Sequence, residues 1–484
     1  MTRARDWWLP LLFAVCVLRL WLMALPSSFW VDETVTAFVV GHPRDPSLAA
    51  APQVPASLYY AVARAAVRLG GGSEVVYRIP SVVATLVAVW LIARLAARLI
   101  HNDAAWFAAF AAMAAHGIDY FAVDARPYAL GILAATGAVW FLSAWLDQAR
   151  WADAAAFAIC AALVWRVHLA YWPFYAVIAI YAAARLWSGN TPVRCWHAAA
   201  VFAAIGLSLI PVAIQALAMQ RQASAHVIVP PPSWRDFLHL LRWNVVAISA
   251  GGAWIVGRRQ KLEVRSQEAG SSAGILIFAW WLGPAVLLYA VSIATGHSVY
   301  VTRYLAVALP GVALAATLAG ARFLPSRWWR AAAGLMGIGA LVAHGQWTKL
   351  WPVHEKSGWR QAAEAVNRIE AAGPVPVICP SPFIEARPPV WRPDYPMPGF
   401  LYAHMAYYPV HGQIVLFPFE DSPQAEAYAA EVLRNLRGGF AIYGGAGQVT
   451  FWQEWFAARP EMQGWKGRLV RFGDVYVEYF SLPR

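Results

Sequence analysis

Charge is scarce in this chain. Of its 484 residues 13% are charged, against roughly 25% in an ordinary soluble protein, and 60% are hydrophobic. That balance excludes a soluble globular enzyme and marks an integral membrane protein; the mean hydropathy of +0.48 agrees. Cysteine is scarcer still, with four in all. Cys16, Cys160 and Cys195 lie in or beside apolar runs and Cys379 stands alone, so neither a disulfide framework nor a cysteine metal cluster is implied. No repeat of solenoid length occurs. The basic N-terminus followed by an apolar run resembles a signal peptide, but no convincing small-residue cleavage site leads into a secreted domain. We read it as a retained first span.

What is abundant is apolar sequence in long runs. They fall at residues 8–26, 79–99, 104–118, 128–146, 154–165, 169–186, 197–219, 237–257, 273–294, 304–321 and 331–346. Crossing ~30 Å of hydrocarbon takes a run of about this size, which predicts a polytopic α-helical membrane protein with about eleven spans. The 27 Trp and 19 Tyr supply aromatic belts for the two interfaces.

The net charge of +12 sorts between alternate connections. Arg3 and Arg5, then Arg94 and Arg98, Arg150, Arg185 and Arg194, then Arg258, Arg259, Lys261 and Arg265, and last Arg322, Arg327 and Arg330 fall on every second one. That alternation puts these connections and the N-terminus in the cytoplasm. It also removes nucleic acid as the reason for the charge, because an anionic leaflet accounts for it. An odd number of spans then sends the C-terminus to the outer face. The expected location is a bacterial inner membrane, with the lipid bilayer as a standing partner.

After residue 346 the composition gains charge and proline and loses span-length runs. The expected organisation is a transmembrane domain over 1–346, with a long external loop at 27–78, and a small periplasmic α/β domain over 347–484. Helices are predicted at 359–369, from Ser422-Pro423 to 436, and at 451–458. Strands are predicted at 375–379, 414–417 and 440–443, with a closing hairpin at 467–480 and an irregular proline-rich loop at 380–398. Within the external loop, residues 55–69 have the spacing of an amphipathic helix lying in the interface.

The unusual polar residues gather on the outer connections. Asp32 and Glu33 sit side by side just past the first run. Glu74, Tyr77 and Arg78 follow, then Asp119-Tyr120, then Asp124, Arg126 and Tyr128, then Arg166 and His168, Arg235-Asp236, and Tyr300 with Arg303-Tyr304. Ionisable groups at a membrane boundary are costly unless solvated, paired or working. Carboxylates, arginines and aromatics on one face are what a sugar-phosphate site needs: a base, phosphate clamps and stacking surfaces. Each residue also has a plainer explanation. Asp124 and Arg126 are close enough to pair with each other, and a histidine in an apolar run such as His168 is more often a hydrogen-bonded core residue than a ligand. Arg303 fits a snorkelling anchor as well. Arg19 stands inside the first run with no partner evident. Asp32 or Glu33 is the place for Mg²⁺ or Mn²⁺ if a divalent cation is used, although adjacent side chains point apart and rarely chelate one ion together.

The order of three motifs then carries a resemblance. Asp32-Glu33 after the first run, Pro55-Ala56-Ser57-Leu58-Tyr59-Tyr60, and Ser73-Glu74-Val75-Val76-Tyr77-Arg78-Ile79-Pro80-Ser81 opening the second resemble the bacterial dolichyl-phosphate-mannose-protein mannosyltransferase-like family. These are glycosyltransferases of the membrane-embedded C-type (GT-C) fold, glycosyltransferase family 39, related to the lipid A aminoarabinose transferase. The stretch from Tyr120 to Leu130 is similar to the family's external Arg-Pro-Tyr element, and Arg303-Tyr304-Leu305 to its late Arg-Tyr motif. The His-Pro-Pro-Leu-Tyr element of the family reads here Gln53-Val54-Pro55-Ala56-Ser57-Leu58-Tyr59.

The resemblance implies a polyprenyl-phosphate sugar donor and an acceptor hydroxyl on a glycan, lipid or protein outside the membrane. It implies Asp32 as catalytic base with Glu33 beside it, and Arg303 and Arg126 on the donor phosphate. Tyr59, Tyr60, Arg78, Asp124, Tyr128, His168 and Tyr304 become substrate-binding candidates, and one displacement implies inversion at the anomeric carbon. A lipid-linked glycan ligase or polymerase of similar architecture is the nearer rival. A non-enzymatic saccharide-lipid flippase is the remoter one, since such proteins show internal repeats and charges within their spans.

Overall fold

The computed structural model describes residues 7–51, 57–220, 229–258, 271–436 and 438–482. Arg3, Arg5, the stretch 53–56, the start of the 221–236 connection, Arg259, Lys261 and Arg265 lie outside the described residues. The chain divides into two compact units, one formed by residues 1–25, 57–62 and 78–352, the other by 26–56, 63–77 and 353–484.

The first unit is helical. Among the described residues five helices are long and apolar enough to cross a membrane: Glu74–Leu99, Tyr128–Gln148, Leu169–Trp187, Ser272–Thr295 and Thr302–Ala321. A sixth arises if Cys195–Ser208 and Ile210–Met219, bent by 50° at their junction, count as one span. Trp8–Ala24 and Trp243–Val256 are shorter apolar helices, and Ala105–Ala114, Trp151–Val167 and Trp329–Ala343 fill the remaining predicted runs. Every run therefore carries helix, several too short for an upright crossing.

Small residues let these helices approach closely, as expected where lipid removes the hydrophobic drive for association. A Cβ on Gly311 would stand 2.6 Å from the backbone of Trp280 and Trp281, so only glycine admits that contact. Beside it the Trp280 indole donates to the Val307 carbonyl at 2.7 Å. Arg19 finds its partners far along the chain, donating to the carbonyls of Gln346 at 2.9 Å and Lys349 at 2.6 Å. The guanidinium thereby fastens the chain that follows Trp329–Ala343.

At the C-terminal ends of three long helices Asp147 bridges Arg98 and Arg185. The N-terminal ends of the same helices carry Arg78, Tyr128 and the turn after His168. At 1.5 Å per residue, a helix of 21 residues separates the two ends by about 30 Å.

The second unit holds a mixed five-stranded sheet whose strands lie in the spatial order Gln413–Phe417, Pro376–Pro380, Phe440–Gly445, Val475–Ser481 and Lys466–Phe472. Its strands are β1 (Pro376–Pro380), β2 (Gln413–Phe417), β3 (Phe440–Gly445), β4 (Lys466–Phe472) and β5 (Val475–Ser481). β1 pairs in parallel with β2 and β3, while β5 is antiparallel to β3 and β4. Central β1 is apolar and buried through Val377, Ile378 and Cys379, as a parallel strand covered on both faces should be. Edge strand β4 carries Lys466, Arg468 and Arg471, charges that discourage further pairing. Helix Pro423–Asn435 starts where Ser422 caps it, its hydroxyl accepting from the Ala425 amide at 3.1 Å, with Pro423 at the first turn. Helix Trp359–Ala372 buries Trp359, Ala362, Ala363 and Val366, one face at helical spacing. No helix or strand occupies 381–399.

Candidate functional site

In the first unit the candidate residues converge on one histidine. His168 ends helix Trp151–Val167, and its Nδ1 accepts from the Ala170 amide at 3.2 Å, which starts the next turn. That bond assigns the proton of the neutral ring to Nε2. Tyrosines surround the ring: Tyr171 at 4.9 Å, Tyr304 at 5.1 Å and Tyr128 at 5.7 Å between centroids. Burial among them pushes the imidazole pKa down, and the positive charges of Arg126 and Arg303 push it further. A histidine so placed stays neutral at physiological pH, which leaves the two arginines as the positive charges of the cluster.

Arg126 follows the buried Asp124, whose carbonyl accepts from the Ser81 hydroxyl at 2.6 Å. Its guanidinium donates to the Tyr60 hydroxyl at 3.3 Å. Tyr60 is in place because Ser57 donates to the Val167 carbonyl at 2.7 Å and the Leu58 amide to the Arg166 carbonyl at 3.2 Å. Those bonds tie 57–60 to the end of the helix that His168 closes. Tyr59 and Tyr60 are both buried, with their rings 5.8 Å apart.

Arg303 is exposed, its guanidinium 5.5 Å from the Tyr304 ring, and its carbonyl accepts from the Tyr171 hydroxyl at 3.4 Å. Tyr171 was not singled out from the sequence. Its signal is its position three residues after His168, and Gly131 makes its room, since a Cβ there would collide with the Tyr171 ring. Arg78 is fully buried and donates to the Leu25 carbonyl at 2.7 Å. Arg166 donates to the Ser208 carbonyl, and Asp236 closes a capping box with Ser233, so each is held in a local structural contact.

Asp32 and Glu33 belong to the second unit, in the first turn of helix Val31–Gly41. Glu33 is fully buried, and its Oε2 accepts from the Trp30 amide at 3.3 Å, serving the helix start. Asp32 is half-buried. Neighbours on a helix diverge by about 100°, so this pair does not fit joint chelation of one ion.

The approach to this helix is tied down within the same unit. Phe29 packs against Tyr407 at 4.8 Å and Tyr77 at 5.6 Å, and its amide donates to the Tyr408 hydroxyl at 2.9 Å. Tyr408 in turn donates to Glu74 at 2.9 Å, which is ion-paired to Arg360. The Arg360 amide donates to the Ser28 hydroxyl at 3.2 Å. Residues from beyond 353 thus hold the stretch that presents Asp32.

No protein-family model matches the chain, and no curated protein matches it in sequence. The comparison with solved structures is positive: the chain has the C-type membrane glycosyltransferase fold. It is similar over 98% of its length to ArnT from Cupriavidus metallidurans bound to undecaprenyl phosphate, covering 98% of that chain with a TM-score of 0.58 at 11% identity. The apo form of the same protein matches with a TM-score of 0.57 at 12% identity, over 98% of this chain and 97% of that one.

Proposed function

We propose that this chain is a membrane glycosyltransferase that moves a sugar from a polyprenyl-phosphate donor to an acceptor hydroxyl with inversion. The observation that carries the reading is the convergence of Arg126 and Arg303 on a neutral histidine inside a tyrosine wall. Two guanidinium forks suit a phosphate, and the rings suit a sugar or the first isoprene units. The likeness in fold to a protein solved with undecaprenyl phosphate supports the same donor chemistry here.

Polyprenyl phosphate is a fair leaving group, so the enzyme's task is to orient a hydroxyl for in-line attack on the anomeric carbon. Asp32 takes the hydroxyl proton as the new C–O bond forms. The bond to the phosphate oxygen breaks with its electron pair, and Arg303 and Arg126 stabilise the charge that grows there. Glu33 holds the helix start rather than the proton. The direct test is whether purified protein releases polyprenyl phosphate from a labelled donor only when an acceptor is present.

The same reading orients the chain. The Arg98–Asp147–Arg185 group marks the cytoplasmic ends of three helices, and the ends bearing Arg78, Tyr128 and His168 face the periplasm, as does the domain after Trp347. Reporter fusions after Gly358 are expected to be active as a periplasmic reporter and silent as a cytoplasmic one. The reverse pattern would refute this orientation.

A further inference from the structure

Outside the cluster just described, three metal-ligating side chains from two distant parts of the first unit meet. His116 and Asp119 lie in the connection after helix Ala105–Ala114, and His344 follows helix Trp329–Ala343. Asp119 stands 2.9 Å from His344 Nδ1 and 3.8 Å from His116 Nδ1 through its two carboxylate oxygens, and the two imidazole centroids are 5.8 Å apart. One ligand atom from each lies within 4.8 Å of the others. We propose that His116, Asp119 and His344 bind a zinc-class divalent ion.

The orientation of His344 carries the argument. Its Nε2 lies 3.0 Å from the Met113 carbonyl, an acceptor only, so Nε2 holds the proton and Nδ1 turns its lone pair toward the carboxylate. A carbonyl receiving the second ring nitrogen is the outer contact that metal-bound histidines usually make. Two lone-pair atoms 2.9 Å apart need a positive charge between them, which a proton or a metal supplies. The proton alone gives a salt bridge between Asp119 and His344.

A second imidazole on the other carboxylate oxygen is what the metal adds a reason for. Asp119 itself is held by the Gly117 amide, which donates to Oδ1 at 2.9 Å. Tetrahedral zinc at 2.0–2.1 Å needs ligand atoms about 3.3 Å apart, so the 2.9 Å Asp119–His344 pair has to open by a few tenths of an ångström and His116, which is 58% exposed, has to close in. Two imidazoles and one carboxylate favour zinc over magnesium, and the fourth position remains for water. Arg242 and Lys349 lie within electrostatic reach of Asp119 and His344 respectively and work against the ion.

The test uses the full chain in detergent, stripped with a chelator, dialysed and titrated with Zn²⁺ while bound metal and Tm are measured. One zinc per chain and a raised Tm are expected, with Mg²⁺ giving no comparable shift. His116→Ala should keep the unloaded Tm and weaken zinc binding at least about tenfold, since changes even to outer contacts cost 10- to 100-fold. His344→Gln should do the same, and if it fails to fold the exposed His116 variant decides alone. Wild-type protein that binds no zinc, or variants that bind it equally, would overturn the site and leave the salt bridge. A Mg²⁺ shift equal to that of zinc would overturn the assignment of metal class.

Discussion

Asp32→Asn is expected to lower kcat by about 10² to 10⁴-fold, the contribution of a well-placed general base, while leaving the donor KM within about twofold and Tm unchanged. The amide keeps the shape of the carboxylate but does not accept the acceptor's proton. Glu33→Gln provides the internal control. Its amide oxygen can still receive the Trp30 N–H that Glu33 Oε2 receives now, so the helix start survives and turnover falls much less. Steady-state rates in detergent at saturating donor, with Tm measured alongside, separate the two. Near-normal turnover by Asp32→Asn removes it as the base, and an equal loss in Glu33→Gln removes the division of roles.

Arg303→Lys is expected to cost kcat/KM about ten- to a hundredfold although the charge is retained. Loss of one donor to a developing oxyanion typically costs 10²- to 10³-fold, and lysine keeps the charge but not the paired hydrogen bonds. Phosphate is charged in the ground state and more so in the transition state, so KM should rise and kcat fall together. Because Arg303 is exposed, Tm should hardly move. Arg126→Lys should cost less, since part of the Arg126 fork is already spent on the Tyr60 hydroxyl. Kinetics with varied donor check both variants. Unchanged parameters in both would exclude the phosphate role, and a collapse of Tm in either would make that arginine structural.

Much of the fold is legible because its signals are local. Apolar run length placed the helices, and Ser422-Pro423 announced the helix that follows it. The strand at 414–417 could be read from its apolar burst and appears as Gln413–Phe417. Asp236 is another local case, since Ser233 three residues before it is the signature of a capping box. What stays hidden is whatever depends on chain separation. Arg19 gives no hint that its partners lie beyond residue 345. The segments 26–56 and 63–77 look like a loop of the membrane region, yet they cluster with residues 353–484, because Arg360 and Tyr408 fasten Ser28, Phe29 and Glu74. His344 and Asp119 are each unremarkable alone and meet only through packing.

Candidate residues were legible to different degrees for the same reason. The arginines and tyrosines of the first unit could be gathered by side of the membrane, but their focus on His168 required the fold. Tyr171 lies inside an apolar run, where nothing in the sequence shows the room that Gly131 leaves for it or its bond to the Arg303 carbonyl. Adjacent positions already imply different roles for Asp32 and Glu33, and the helix start supplies the role of Glu33 by engaging it with the Trp30 amide.

The central claim is group transfer from a polyprenyl-phosphate sugar. Its most direct measurement is a single-turnover assay in which purified protein meets a polyprenyl-phosphate sugar labelled in both lipid and sugar. We expect free polyprenyl phosphate and labelled acceptor to form together, one for one, with the anomeric configuration inverted and with the step abolished in Asp32→Asn. Intact donor that only changes leaflet in vesicles, with no polyprenyl phosphate released in the presence of envelope acceptors, would contradict the account and leave a transporter.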